Sequence, residues 1–127
     1  MIGEEKKEMV RKYVDAYNSF NVNDMFKLLH DEILFRNISN GQVDTETKGI
    51  LEFRELAEKS SRNFSSRKQT IINIATIDNQ VEVQIDYEGI LAVDLPNGLK
   101  SGDKLQLIGK SLFGFKEGKI SLIEDYS

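Results

Sequence analysis

Cysteine is absent from the 127 residues, which removes disulfide staples and thiolate metal sites together and suits a reducing cytoplasm. Histidine occurs once, at His30, and a single imidazole does not make a metal site. No stretch approaches the roughly 20 apolar residues of a membrane helix. The opening MIGEEKKEMVRK carries charge where a secretory leader has its apolar run, so neither a membrane partner nor export is expected. Basic residues are not in excess either. The net charge is −4, and the densest cationic group, Arg62, Arg67 and Lys68, is broken by serines, so nucleic acid is not an expected partner.

What is present suffices for one core. A 39% hydrophobic content over this length fits a single domain spanning 1–127. From about Glu4 to Phe20, Val10, Tyr13, Val14, Tyr17 and Phe20 recur at helical spacing between charges and predict an amphipathic helix with an aromatic face. Asn21 or Asn23 caps a second, short helix, with Asp24 in its first turn and Met25, Phe26, Leu28 and Leu29 turned inward. His30 then falls at a helix C-terminus, where the dipole accounts for it. Glu32 to Ser39 has strand composition, followed by an Asn-Gly signal that fits a hairpin or a long loop. Ile50, Phe53, Leu56 and Ala57 mark a third helix, which loses its pattern at Ser60 and Ser61.

From Arg67 onward the period changes to two. It runs through RKQTIINIATI, QVEVQIDYEGILAVDL, DKLQLIGKSLFGF and KISLIEDY, joined by short turn-like links, which predicts an antiparallel meander. Helices first and strands second make an α+β domain. In the longest strand Val81, Val83, Ile85 and Tyr87 share one face, and Glu82, Gln84, Asp86 and Glu88 share the other. Apolar character then passes to Ile90 and Ala92, so either both faces are covered or a bulge near Gly89 exchanges them. Coverage of both faces suggests a homodimer through the sheet.

One charge interrupts the closing strand. Asp125 follows Ile120, Leu122 and Ile123, and an unpaired carboxylate among such neighbours costs several kcal/mol, so it belongs either at a rim or in a functional cavity.

The order of elements, with KYVDAYNSFNVNDMFKLLHDEILFRN early and GKISLIEDY late, resembles the NTF2-like superfamily and, within it, the SnoaL-like proteins. Asp31, Gly49 and Gly118-Lys119-Ile120 stand at the corresponding places. The resemblance implies a cone of three N-terminal helices packed on a strongly curved, mainly antiparallel sheet, around a pocket for an apolar small molecule. It is nearer to the limonene-epoxide hydrolase branch, in which a strand pairs an Arg with an Asp two residues on and the last strand supplies a second Asp before a Tyr. Here Gln84-Ile85-Asp86 and Glu124-Asp125-Tyr126 correspond, with Phe35-Arg36-Asn37 where that branch carries a Tyr, one residue and an Asn. Gln84 replaces the Arg and Phe35 replaces the Tyr, which implies weak epoxide opening at best, because Gln84 brings no charge to separate two carboxyl pKa values.

The chemistry so implied is general acid–base work without a cofactor, of isomerase, cyclase or hydrolase type: Asp86 as base, Asp125 as protonated donor, Asn37 or Gln84 assisting, and Tyr13, Tyr17, Phe35 and Phe113 as walls. Parity alone instead puts Asp86 on a solvated face beside Glu82 and Glu88. The alternative is a non-catalytic binding or dimerisation domain, and the direction of the two aspartates separates the readings.

Overall fold

The computed structural model describes residues 1–127, beginning with α1 over Gly3–Asn18 and α2 over Val22–Lys27. Asn21 caps α2 by accepting the Asp24 amide at 3.0 Å. The chain turns into strand at once: β1 covers Leu29–Ser39, so Leu29 and His30 are strand residues and not part of the second helix. The dipole explanation for His30 therefore fails. Its Nδ1 accepts the Glu32 amide at 3.0 Å, which leaves Nε2–H to donate to Glu117 at 3.1 Å.

β1 and β2 (Gln42–Lys48) form the hairpin, turning at Asn40 and Gly41, both with positive φ as a type I′ turn requires. Then come α3 (Ile50–Arg62), β3 (Phe64–Ile77), β4 (Gln80–Leu91), β5 (Lys104–Lys116) and β6 (Lys119–Tyr126). The six strands lie in the order β2-β1-β6-β5-β4-β3. Every neighbouring pair is antiparallel except β1 and β6, which run parallel and close the sheet's two halves into one. Register shifts occur in β1 at Asn37/Ile38, in β3 at Ile71/Asn73 and in β5 at Gly114/Phe115, where an extra residue bends a strand locally.

The three helices cover the concave face. Val10, Tyr13 and Val14 of α1, Met25 and Phe26 of α2, and Phe53 and Ala57 of α3 meet Ile33, Val81, Val83, Ile85, Phe113, Ile120 and Ile123 from the sheet. Each such aliphatic side chain contributes roughly 1.5–3 kcal/mol when withdrawn from water. Along β4 the inward parity runs unbroken from Val81 to Leu91, which is 1% exposed, while Ile90 is 40% exposed on the other side. The faces do not exchange at Gly89. Glycine stands there because a Cβ would lie 2.8 Å from the Phe64 ring, which crosses it from β3.

Candidate functional site

Between the concave face, α1 and α3 lies a cavity of about 410 Å³. Its apolar walls are aromatic and are held by ring packing. Phe35 of β1 stacks on Phe53 of α3 with centroids 4.8 Å apart, and Phe26 of α2 stacks on the same ring at 5.5 Å. Tyr13 of α1 meets Phe113 of β5 edge-on at 5.8 Å. Tyr17 of α1 and Tyr87 of β4 join through their hydroxyls at 2.9 Å. The four aromatic residues singled out in the sequence, Tyr13, Tyr17, Phe35 and Phe113, all line this space.

Asp125 is the only acidic residue of the lining. Strand register explains its place: it pairs with Asn37 on β1 and with Ser111 on β5, so the three side chains point from neighbouring strands to the same face. Ser111 Oγ donates to Asp125 Oδ1 at 2.7 Å. No protein group donates to Oδ2, which reaches the cavity. Burial pushes this carboxyl up to about 6, with the Ser111 hydrogen bond pulling the other way. Asn37 lies beside it but spends its amide elsewhere, donating to both oxygens of Asp44 at 3.0 and 3.1 Å.

Asp86 and Gln84 are not at this site. Both sit on the convex face: Asp86 is flanked by Thr70 on β3 and Ile108 on β5, and Gln84 is exposed. The pairing of Asp86 with Asp125 therefore does not occur, because the alternation that turns Ile85 and Tyr87 inward turns Asp86 outward. Glu82 and Glu88 beside it had marked that face.

Several polar groups of the lining escaped the sequence reading, among them Gln69, Lys110 and Ser111. Another is Arg67, 5% exposed, whose guanidinium lies 3.7 Å from the Tyr17 ring centroid and 4.5 Å from that of Phe20. Counting back by twos from Ile71 through Gln69 reaches Arg67, so parity held a signal for it. Burial raises the Tyr13 phenol well above its ordinary value, and the charge of Asp125 adds to that, so Tyr13 remains a donor. Its hydroxyl makes no hydrogen bond to protein. No three His, Cys, Asp or Glu side chains converge anywhere in the chain.

A curved sheet capped by three helices, enclosing an aromatic cavity with one half-buried acid in its wall, defines an NTF2-like cavity domain. A family model for the SnoaL-like domain matches residues 10–123, and the chain belongs to that family. Among solved structures it is similar to a candidate polyketide cyclase of Xanthomonas campestris pv. campestris, at TM-score 0.82 and 16% identity over 98% of this chain and 90% of that one. A candidate SnoaL-like polyketide cyclase of Jannaschia sp. CCS1 superposes at TM-score 0.81 and 14% identity, over 96% and 84%. An LEH-like epoxide hydrolase of M. tuberculosis superposes at 0.76 and 17%, over 97% and 82%. At these identities the likeness is one of fold. None of the curated proteins matches the chain by sequence.

Proposed function

We propose that this chain is an acid–base enzyme acting on an apolar small molecule, with Asp125 transferring the proton. The observation that carries this is the placement of Asp125: the one acidic side chain of the cavity lining, held by Ser111 through one oxygen, with the other left free of protein donors. With Asp86 on the convex face, the base role passes to Asp125, whose value near 6 leaves it largely ionised at neutral pH. In the step proposed, Asp125 takes a proton from a carbon beside a carbonyl. The C–H electron pair becomes the C=C bond of the enolate, the carbonyl π pair moves to oxygen, and the Tyr13 hydroxyl donates a hydrogen bond to that oxygen. With a β,γ-unsaturated ketone the enolate is a conjugated dienolate. As the oxygen pair re-forms the C=O, the Cα=C pair shifts to Cα=Cβ and the former Cβ=Cγ pair takes the proton from Asp125 at the γ-carbon, which completes an isomerisation.

The test is hydrogen–deuterium exchange of 2-tetralone in D2O, followed by proton NMR. The protein should accelerate loss of the α-proton signal in proportion to an ionising group near pH 6, and Asp125→Asn should cut that acceleration by about 10²–10⁴-fold. Exchange at the buffer rate, or equal exchange with the variant, would sink the catalytic reading. A second reading, ligand binding without turnover, is favoured by the presence of a single carboxyl where the epoxide-hydrolase resemblance implied two; it is supported if apolar molecules bind without exchange.

We also assign the convex face to self-association. Ile108 is 66% exposed and Ile72 55% exposed there, and between them Asp86 Oδ1 is shielded from solvent with no hydrogen-bond partner, an arrangement a second copy would complete. A chain without cysteine suits the cytoplasm, where we place it.

A further inference from the structure

Arg67 is buried in the cavity wall and carries no counter-charge. Nε–H donates to the Tyr17 carbonyl oxygen at 3.1 Å, at the C-terminal end of α1, a helix with no basic residue in its own last turn. That accounts for one edge of the guanidinium. The rings of Tyr17 and Phe20 account for its plane, holding it 3.7 and 4.5 Å from their centroids. Neither Nη group donates to protein, neither is sealed from the cavity, and no carboxylate forms an ion pair with it. A buried charge left in this state is costly unless something completes it, and a planar fork fixed at one edge and on its plane is preorganised for a carboxylate.

Asp125 does not complete it. Across the sheet, Asp125 is in register with Ser111 and through it with Val83, whereas Arg67 is in register with Gly89. The stretch Val83–Gly89 is roughly 20 Å of strand. The two groups thus stand apart on the cavity wall, on β3 and β6, and the phenols of Tyr13, Tyr17 and Tyr87 feel both charges.

We infer that the ligand of this cavity is an apolar, aromatic-sized carboxylate whose anionic end docks on the free edge of Arg67, so that its other end lies toward Asp125. The inference rests on the cavity being a ligand site, and not on turnover by Asp125. It gives the site a polarity: Arg67 selects and orients, and Asp125 meets the far end. A neutral molecule of the same shape would leave the guanidinium unpaired and lose that selection.

The test compares biphenyl-4-carboxylate with biphenyl-4-carboxamide, which share shape and differ in charge, by calorimetry and by amide chemical shifts. The carboxylate should bind at least about ten-fold more tightly, with shifts at Arg67 and Tyr17. Arg67→Met should weaken the carboxylate far more than the carboxamide and so remove that preference; Arg67→Lys, which keeps charge but not the fork, should retain part of it. The wild-type ratio stands even where Arg67→Met fails to fold. Equal binding of the two probes overturns the anion site while the apolar cavity stands. Failure of both to bind overturns the cavity as a ligand site and this inference with it, whereas carboxylate preference without tetralone exchange supports Arg67 and removes only the catalytic role of Asp125.

Discussion

A carboxyl group with one oxygen on Ser111 and the other toward an aromatic cavity is harder to ionise in the folded chain than in the unfolded one. For Asp125 the value rises from 3.8 to about 6, so between those limits the folded state binds more protons than the unfolded. Stability therefore falls as pH rises through that window and stays lower above it. The full shift corresponds to about 3 kcal/mol, and access of water to the cavity reduces this to about 1–2 kcal/mol. Asp125→Asn, which can still accept from Ser111, should match the wild type below pH 4 and exceed it by about 1–2 kcal/mol at pH 7.5. Urea unfolding at the two pH values checks this; a variant no more stable at pH 7.5 would mean that the carboxylate is well solvated. The same substitution is expected to cut the proposed proton transfer by about 10²–10⁴-fold, so activity and stability at pH 7.5 should move in opposite directions. Asp125 announced itself in the sequence as a charge in an apolar strand. Arg67 showed only in the parity of β3, because its burial depends on the rings of Tyr17 in α1 and Phe20 just beyond it, far away in the chain.

Strand parity was the most informative property at the level of elements. It turned Val81, Val83 and Ile85 inward as expected, and it also turned Asp86 outward, where the family resemblance had implied a catalytic base. Arg67 and Gln69 share the inward parity of Ile71, and shifts at Phe64/Ser66 and Ile71/Asn73 interrupt that alternation on either side; such one-residue shifts leave no mark in composition. The boundary of α2 was misplaced for a similar reason. Leu28 and Leu29 suit a helix by propensity, but the β1–β6 pairing claims Leu29 for the sheet. Where β5 passes β6, a Cβ on Gly109 would stand 2.9 Å from the carbonyl oxygen of Tyr126. That atom belongs to a paired strand and cannot swing aside, so Gly109→Ala should cost about 1–3 kcal/mol. Thermal unfolding measures it, and an unchanged midpoint would show that the β5–β6 ladder yields at this point.

For the whole molecule, the convex face is the remaining surface to account for. Analytical ultracentrifugation of the wild type should give a dimer, and Ile108→Glu, which puts a charge at the most exposed large apolar residue of that face, should give a monomer with unchanged circular dichroism. A wild type that sediments as a monomer at tens of micromolar would refute the assignment. The α+β class, the three helices, the meander and the aromatic character of the interior were legible in the sequence, because they follow from periodicities of a few residues and from turn chemistry that acts locally; the β1–β2 hairpin was left open against a long loop. Which carboxyl shares a cavity with which cation was not. That depends on register between β1, β5 and β6, on a bulge in β3, and on the angle at which α1 crosses the sheet, all of them long-range pairings. The sequence by itself determined the order of helices and strands, the inward row of β4 and the presence of an acid in an apolar closing strand; only the tertiary structure decided that Asp125 is the one acidic side chain of the cavity and that Arg67, packed on Tyr17 and Phe20, shares its wall.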